Sequence, residues 1–296
     1  MSTQTEFRPR RSCLYMPGAN ERALEKAKTL AADMLILDLE DAVAPEAKLD
    51  ARALVARLVG ERGYGAREVV IRTNGLDSEW GRADLDMVVA ASADGVLLPK
   101  VTSGEQVRRI DQALTEAGAP STLDLWVMIE MPLAILNIQD IAAASATTRL
   151  RGLVLGTNDL AKELNAIATP DRAAFQTALA LTLAAARAYG LVAIDGVYND
   201  MKNAAGLLDE CEQGRVLGFD GKTLIHPAQL QTANRVFSPD PAAVIHARAV
   251  IDAFALPENQ GKGVINVDGK MTELLHLEQA QQLVAVQNAI AALETA

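Results

Sequence analysis

Short runs of apolar residues recur along the chain, roughly 20–40 residues apart, with polar stretches of helical spacing between them. The runs predict eight buried strands, at residues 12–16, 34–39, 68–73, 95–99, 125–130, 152–156, 191–195 and 222–225. The intervening stretches predict helices, among them 20–32, 46–62, 103–117 and 171–189. Strands that alternate with helices pair in parallel. Eight such units predict an α/β fold, a closed (β/α)8 TIM barrel.

The pattern changes near residue 238, so we expect the barrel to span residues 1–238 and a helical C-terminal extension to span residues 239–296. "SPDPAAV" is a turn followed by a helix start, with Ser238 or Asp240 as the N-cap and a helix over 241–255. A loop rich in Gly and Asn follows, and a final helix begins at about residue 272.

Composition narrows the classes of partner. The 296 residues carry a net charge of −10, which argues against binding to nucleic acid or to an anionic membrane. The N-terminus shows no signal peptide, no apolar run is long enough to span a membrane, and two cysteines are too few for a disulfide framework. We therefore expect a cytoplasmic protein. Residues 1–28 are an exception because they carry an excess of basic side chains, which indicates either a solvated face or a docking place for an anionic ligand.

Polar side chains follow the predicted strands at their carboxyl ends, where TIM barrels place their active sites. The strand interiors, by contrast, are almost wholly apolar. The polar residues at these ends include Tyr15, Glu40, Asp41, Arg72, Lys100, Glu130 and Asp159.

Glu130 and Asp159 come from adjacent predicted strands and form a pair of hard oxygen ligands. Such a pair predicts a Mg²⁺ site, with Mn²⁺ as a substitute, that leaves other positions to water and substrate. Glu40 and Asp41 would then hold metal-bound waters or orient Arg72. Arg72 suits bidentate capture of a carboxylate. The alternatives are that the acids only cap helices and that Arg72 only forms a salt bridge with Glu40 or Asp41.

Several motifs resemble the citrate lyase β-subunit-like group of the HpcH/HpaI aldolase superfamily, which includes malyl-CoA and citramalyl-CoA lyases. The match runs from about residue 10 to the C-terminus, in "RRSCLYMPGAN", "LDLEDAV", "VIRTN", "LLPKV", "MIEMP", "GTNDLA", "AIDGVYND" and "GFDGKTLIHPAQ". The resemblance implies a Mg²⁺-dependent carbon–carbon lyase on a (β/α)8 barrel. Glu130 and Asp159 match the metal ligands, and Arg72 matches the residue that grips the keto-acid carboxylate.

The resemblance also assigns residues outside the metal site. Tyr15, Arg22 and Lys26 match positions that contact the CoA thioester. The C-terminal extension is similar to a lid that closes over a neighbouring subunit and delivers an acid, which implies a homo-oligomer, a trimer or a dimer of trimers. Relatives read Gly-Lys-Met-Ile-Asp at the lid, whereas this chain reads "GKMTE", so Glu273 stands where an aspartate is expected and Asp268 is a second candidate.

The predicted activity is that of an oxo-acid lyase. A 3-hydroxy-acyl-CoA such as (S)-citramalyl-CoA or L-malyl-CoA would be cleaved reversibly to acetyl-CoA and a 2-keto acid, pyruvate or glyoxylate, and Glu273 would protonate the enolate carbon. Three alternatives stay open. They are a citrate lyase β subunit acting on an acyl-carrier-protein thioester, a malyl-CoA thioesterase, and a non-catalytic protein that binds keto acids.

Overall fold

The apolar runs of the sequence form strands in the computed structural model, which describes residues 7–295. All eight predicted strands are present, and their ends differ from the predictions by no more than two residues. Each strand pairs in parallel with the next, and the eighth pairs with the first, so the sheet closes into a barrel as predicted. The strands are β1 (Ser12–Pro17), β2 (Met34–Asp38), β3 (Glu68–Arg72), β4 (Gly95–Leu98), β5 (Asp124–Ile129), β6 (Leu150–Leu155), β7 (Val192–Asp195) and β8 (Gly221–Leu224).

Helices surround the barrel and cover the outer faces of its strands. They are α1 (Glu21–Ala27), α2 (Lys48–Gly60), α3 (Gly81–Ala91), α4 (Gly104–Glu116), α5 (Pro132–Leu136), α6 (Ile138–Ala143), α7 (Thr157–Glu163), α8 (Gln176–Ala188), α9 (Ala204–Leu217) and α10 (Leu230–Val236). α1 ends earlier than predicted, where the Thr29 hydroxyl donates to the carbonyl of Lys26. Among the described residues, no helix is long and apolar enough to cross a membrane.

The chain divides into two compact units, Arg10–Phe237 and a second unit that combines residues 7–9 with residues 238–295. In the second unit, α11 (Pro241–Ala255) packs against α12 (Leu274–Thr295), and Asp240 caps α11 as one of the two predicted N-caps. The role of this unit as a lid stays a prediction.

The predicted C-terminal loop is wrong in one respect, because it contains a β-hairpin. Strands β9 (Val264–Val267) and β10 (Lys270–Glu273) pair in antiparallel fashion around a turn. Both turn residues, Asp268 and Gly269, have positive φ angles, 50° and 80°. Asp-Gly is a strong two-residue hairpin signal, so this element was visible in the sequence. The turn also explains Asp268 without a catalytic role.

Two arginines of the basic N-terminal segment lie at the amino-terminal end of the barrel. Arg10 pairs with Glu68 at 2.6 Å, and Arg11 pairs with Asp33 at 2.9 Å. Because active sites of TIM barrels lie at the opposite end, these two residues are structural rather than part of a docking place for an anion.

A tryptophan fills the inside of the barrel. Trp126 on β5 is 1% exposed and lies among the inward-facing side chains of the other strands. It fits because glycines lie close to its ring on both neighbouring strands: a Cβ on Gly152 would lie 2.4 Å from the Trp126 ring, and a Cβ on Gly95 would lie 3.2 Å from it. Contacts under 3.0 Å force a shift, so Gly152 is the tighter constraint.

We expect Gly152→Ala to lower the free energy of unfolding by about 1–3 kcal/mol, because the added methyl group overpacks the barrel against Trp126. Urea denaturation measures the change. The control is Gly60→Ala at the end of α2, where no atom lies within 4 Å of the new Cβ. There we expect no loss, or a gain of about 0.5–1 kcal/mol. Equal effects of the two substitutions would contradict the packing argument.

Candidate active site

The register of the strands assembles the first part of the site. Asp38 at the end of β2 pairs with Arg72 at the end of β3, so both side chains enter the carboxyl-terminal mouth of the barrel side by side. The Asp38 carboxylate accepts hydrogen bonds from Arg72 Nε at 2.8 Å and from Arg72 Nη2 at 2.6 Å, so the two side chains form a bidentate pair. Asp38 also accepts the backbone N–H groups of Glu40 and Ala42, which fixes the turn after β2.

Arg72 has further partners, as the salt-bridge alternative anticipated. Its Nη1 lies 3.0 Å from Glu40 Oε2 and 3.7 Å from Asp41 Oδ2. Its guanidinium carbon lies 4.9 Å from the centre of the Tyr15 ring, a cation–π contact. Asp38 therefore occupies one edge of Arg72, and the Nη1 end faces the other acids of the mouth.

Lys100 links two acids that the sequence analysis treated separately. Its backbone N–H donates to Glu130 Oε1 at 2.8 Å, and its Nζ lies 2.9 Å from Glu40 Oε1. Lys100 has a φ of +55°, a conformation that side chains rarely adopt and that is often held at functional sites. Lys100 stood among the polar strand ends but was given no role, and Asp38 was missed because only the pairing of β2 with β3 connects it to Arg72.

Glu130 is fully buried at the end of β5. Burial raises the pKa of its carboxyl to about 7, the hydrogen bond from Lys100 opposes that rise, and the charges of Glu40 and Asp159 add to it. Its Oε2 atom is buried and has no hydrogen-bond partner. A carboxylate oxygen in that state is a strong candidate for a cation ligand.

Gly156 makes room for this carboxylate. A Cβ on Gly156 would lie 2.4 Å from Glu130 Oε2 and 2.5 Å from Glu130 Cβ. Any larger residue at this position would displace Glu130.

Asp159 lies in the first turn of α7 and is half-buried. It borders a cavity of about 420 Å³ in the mouth, together with Tyr15, Asp41, Arg72 and Gly156. Ala42, Leu155, Val197 and Ile225 contribute apolar surface to the same cavity. The cavity is large enough for a small acid.

Two carboxylates would hold a metal here. Among the described residues, no group of three His, Cys, Asp or Glu side chains is placed to bind one. Mg²⁺ usually takes one or two carboxylates and fills its other positions with water and substrate. The orphaned Oε2 of Glu130 and the charge of Asp159 fit that requirement, and they fit Mn²⁺ equally well.

The remaining predicted site residues are on α1 and in the second unit. Arg22 and Lys26 are exposed on α1 and do not border the cavity. Glu273 ends β10 in the second unit, where its backbone N–H donates to His276 Nδ1 at 3.0 Å. Their roles stay predictions. His226 caps the short helical turn that begins at Pro227.

We expect Gly156→Ala to weaken Mn²⁺ binding by about 10–100-fold, because the methyl group displaces the Glu130 carboxylate. Isothermal titration calorimetry measures the affinity. Gly75→Ala is the matched control at the same end of the barrel, since no atom lies within 4 Å of its new Cβ. Unchanged affinity in Gly156→Ala would show that Glu130 does not hold the metal.

The pKa of Glu130 also predicts a pH dependence. With a pKa of about 7, Glu130 is largely protonated in the metal-free protein below that pH, and a metal must displace the proton. Mn²⁺ affinity should therefore fall about tenfold for each pH unit below 7 and level off above it. Calorimetry in buffers between about pH 5.5 and pH 8 tests this, and an affinity that stays constant below pH 7 would refute it.

The family described as HpcH/HpaI aldolase/citrate lyase matches residues 11–227. The chain is 53% identical to a (3S)-malyl-CoA thioesterase of Cereibacter sphaeroides over an alignment of 284 residues, and this alignment covers 96% of both chains. It is 38% identical to the citrate lyase subunit beta of Escherichia coli over an alignment of 275 residues, and this alignment covers 91% of this chain and 90% of the relative.

A solved structure shares the fold. The protein CitE from Mycobacterium tuberculosis, in complex with magnesium, acetoacetate and coenzyme A, superimposes with a TM-score of 0.73 at 26% identity, over 94% of this chain and 97% of that chain. These matches confirm the family that the sequence motifs predicted. The protein belongs to the HpcH/HpaI aldolase/citrate lyase family.

Proposed function

We propose that the barrel mouth binds the CoA thioester of a short hydroxy acid with a second, free carboxylate, and that (3S)-malyl-CoA is its substrate. The cavity of about 420 Å³ suits the four-carbon acyl group. Its polar wall carries one arginine and several acids, while its apolar wall can contact the carbon chain.

Arg72 would hold the free carboxylate of the substrate. Because Asp38 takes Nε and one N–H of Nη2, the N–H groups left for a substrate include those of Nη1, which Glu40 now approaches at 3.0 Å. Glu40 keeps its second partner, Lys100, when a substrate takes its place at Nη1. Binding therefore exchanges one ion pair of Arg72 for another and leaves no charge unpaired.

Glu130 and Asp159 would hold Mg²⁺. A bound Mg²⁺ would polarise a substrate oxygen and neutralise part of the negative charge of the mouth. That role agrees with the magnesium in the related CitE structure.

The CoA part of the substrate carries phosphates and should avoid negative surface. A second cavity, of about 590 Å³, adjoins the first and shares Thr157, Asn158 and Val197 with it. Acids line it, among them Asp200, Asp209 and Glu210, which disfavours phosphate. We therefore place the CoA phosphates on the side of α1, near Arg22 and Lys26, with Tyr15 bordering the thioester end.

The reaction that we propose is hydrolysis of the thioester. A water oxygen attacks the thioester carbonyl carbon, and Glu40 takes a proton from that water. The carbon–sulfur bond then breaks, the thiolate of CoA receives a proton, and malate leaves. Burial raises the pKa of Glu40, which favours its action as a base near neutral pH.

One observation supports hydrolysis over the other reactions of the family. The chain is 53% identical to a (3S)-malyl-CoA thioesterase over 96% of its length but only 38% identical to a citrate lyase subunit beta.

Carbon–carbon cleavage is the second candidate, because the family description includes aldolases and lyases and the same groups can grip the same substrate. In that reaction the hydroxyl loses a proton, the bond between the hydroxyl-bearing carbon and its methylene neighbour breaks, and the enolate of acetyl-CoA takes up a proton. Glyoxylate is the second product from malyl-CoA, and pyruvate from citramalyl-CoA. Glu273 would give the proton, in an oligomer where the second unit acts as a lid.

Incubation of the purified protein with (3S)-malyl-CoA and Mg²⁺ should release free CoA and malate in equal amounts, and EDTA should stop the release. Chromatography of CoA species, with a parallel assay of glyoxylate, follows both reactions at once. Acetyl-CoA and glyoxylate in equal amounts would establish cleavage instead. The absence of both product pairs would overturn the proposed function and point to a carrier-protein substrate or to binding without turnover.

A further inference from the structure

Behind the mouth lies a buried lysine with no counter-ion. Lys48 begins α2 and is 6% exposed. Its Nζ donates to two backbone carbonyls, that of Leu39 at 2.8 Å and that of Glu40 at 2.7 Å. Within the described part of the chain, its ammonium forms no ion pair.

This placement is costly for the folded state. A buried ammonium loses its hydration, and without a carboxylate partner that loss is only partly repaid. Lys48 also stands in the first turn of α2, where the helix dipole disfavours a cation. Burial lowers its pKa accordingly. The ring of Trp80, 5.3 Å from Nζ, offsets only part of the cost.

The two carbonyls do not need Lys48 for hydrogen bonding. The carbonyl of Leu39 also accepts a hydrogen bond from Asn74 Nδ2 at 3.1 Å. The carbonyl of Glu40 also accepts a hydrogen bond from the backbone N–H of Val43 at 3.1 Å. What Lys48 adds is the orientation of the turn. Both carbonyls point back to one ammonium, and the side chain of Glu40 extends from the same turn to Arg72 and Lys100.

We propose that Lys48 is a positioning residue for the barrel mouth, whose ammonium holds the turn at residues 39–43 so that the carboxylates of Glu40 and Asp41 stay at Arg72. Lys48 touches no substrate atom and acts through Glu40. The negative charges of Asp38, Glu40, Asp84 and Asp41 act on this ammonium from beyond ion-pair distance, and its positive charge reduces the repulsion among them. The catalytic consequence rests on the function proposed above, whereas the structural consequence does not.

An ordinary structural lysine would behave differently when it is removed. Its loss would destabilise the whole barrel, and activity would fall only as the folded fraction falls. A positioning lysine that is costly to bury should show the reverse: stability is kept, and the turn and the chemistry suffer.

The test compares Lys48→Met with Arg67→Met. Arg67 is a matched control because it is half-buried and also donates to two backbone carbonyls, of Leu30 at 2.6 Å and Tyr64 at 3.0 Å, but lies just before β3 at the opposite end of the barrel. Lys48→Arg is the conservative variant, since it keeps the charge and the donors.

We expect Lys48→Met to keep the Tm of the wild type or to raise it, because an unpaired buried charge is removed. Amide hydrogen exchange should become about tenfold faster in residues 39–47 and stay unchanged in the remaining strands. With (3S)-malyl-CoA, kcat should fall about tenfold or more with KM nearly unchanged, because Arg72 remains and Glu40 loses its orientation. Lys48→Arg should recover part of the loss, and Arg67→Met should lower Tm without changing kcat.

Three outcomes would overturn the proposal. They are failure of Lys48→Met to fold, a Tm loss as large as that of Arg67→Met with faster exchange throughout the barrel, and unchanged exchange in residues 39–47. If the wild type itself turns over no thioester, the proposed function fails, and hydrogen exchange and Tm still decide the role of Lys48.

Discussion

Repulsion among carboxylates at one end of the barrel is the constraint on which the rest of the site depends. Parallel strands deliver their last residues to one mouth, and here those residues are rich in acids, namely Asp38, Glu40, Asp41, Glu130 and Asp159. The cations are distributed unevenly among them. Arg72 is matched by Asp38, and Lys100 by Glu40, while Glu130 Oε2 has no partner. The uncompensated charge is thus concentrated at Glu130 and Asp159, where a divalent cation would lower the energy most.

A large side chain in or just after β5 packs beside a glycine in or just after β6, both in the barrel core and at the Glu130 carboxylate. Inside the barrel, Trp126 of β5 faces Gly152 of β6. Past the pair formed by Met128 and Val154, Glu130 follows the end of β5 and lies against Gly156, which follows the end of β6. Gly152 leaves room for the Trp126 indole, which fills the barrel. Gly156 leaves room for the Glu130 carboxylate, of which only Oε1 has a hydrogen-bond partner. The same arrangement of a large residue beside a glycine therefore fills the core at one level of the barrel and makes room for the Glu130 carboxylate at its mouth.

The sequence was sufficient for the barrel because each strand is a buried apolar run with a polar residue at its end, and that signal is local. It also indicated Glu130, Asp159 and Arg72, since the strand ends must converge. It could not indicate Asp38 as the partner of Arg72, because that depends on the register of two strands, or Lys48, whose position on α2 matters only after the helix packs behind the mouth. The hairpin around Asp268 and Gly269 was within reach and was missed.

The choice between hydrolysis and cleavage depends on what reaches the substrate after it is bound, since in the proposed function Arg72 and the paired acids would serve both reactions. Cleavage ends with proton transfer to carbon, which demands an acid at a fixed distance. A glutamate at position 273, where the family resemblance predicts an aspartate, extends the carboxyl by one methylene, and a misplacement of about 1 Å can cost about 100-fold in rate. Hydrolysis needs no proton at that carbon; it needs a water beside a base, and Lys100 would keep Glu40 in the mouth after a substrate takes its place at Arg72. If Glu273 is the lid acid, its longer side chain would therefore penalise cleavage more than hydrolysis, in agreement with the proposed function.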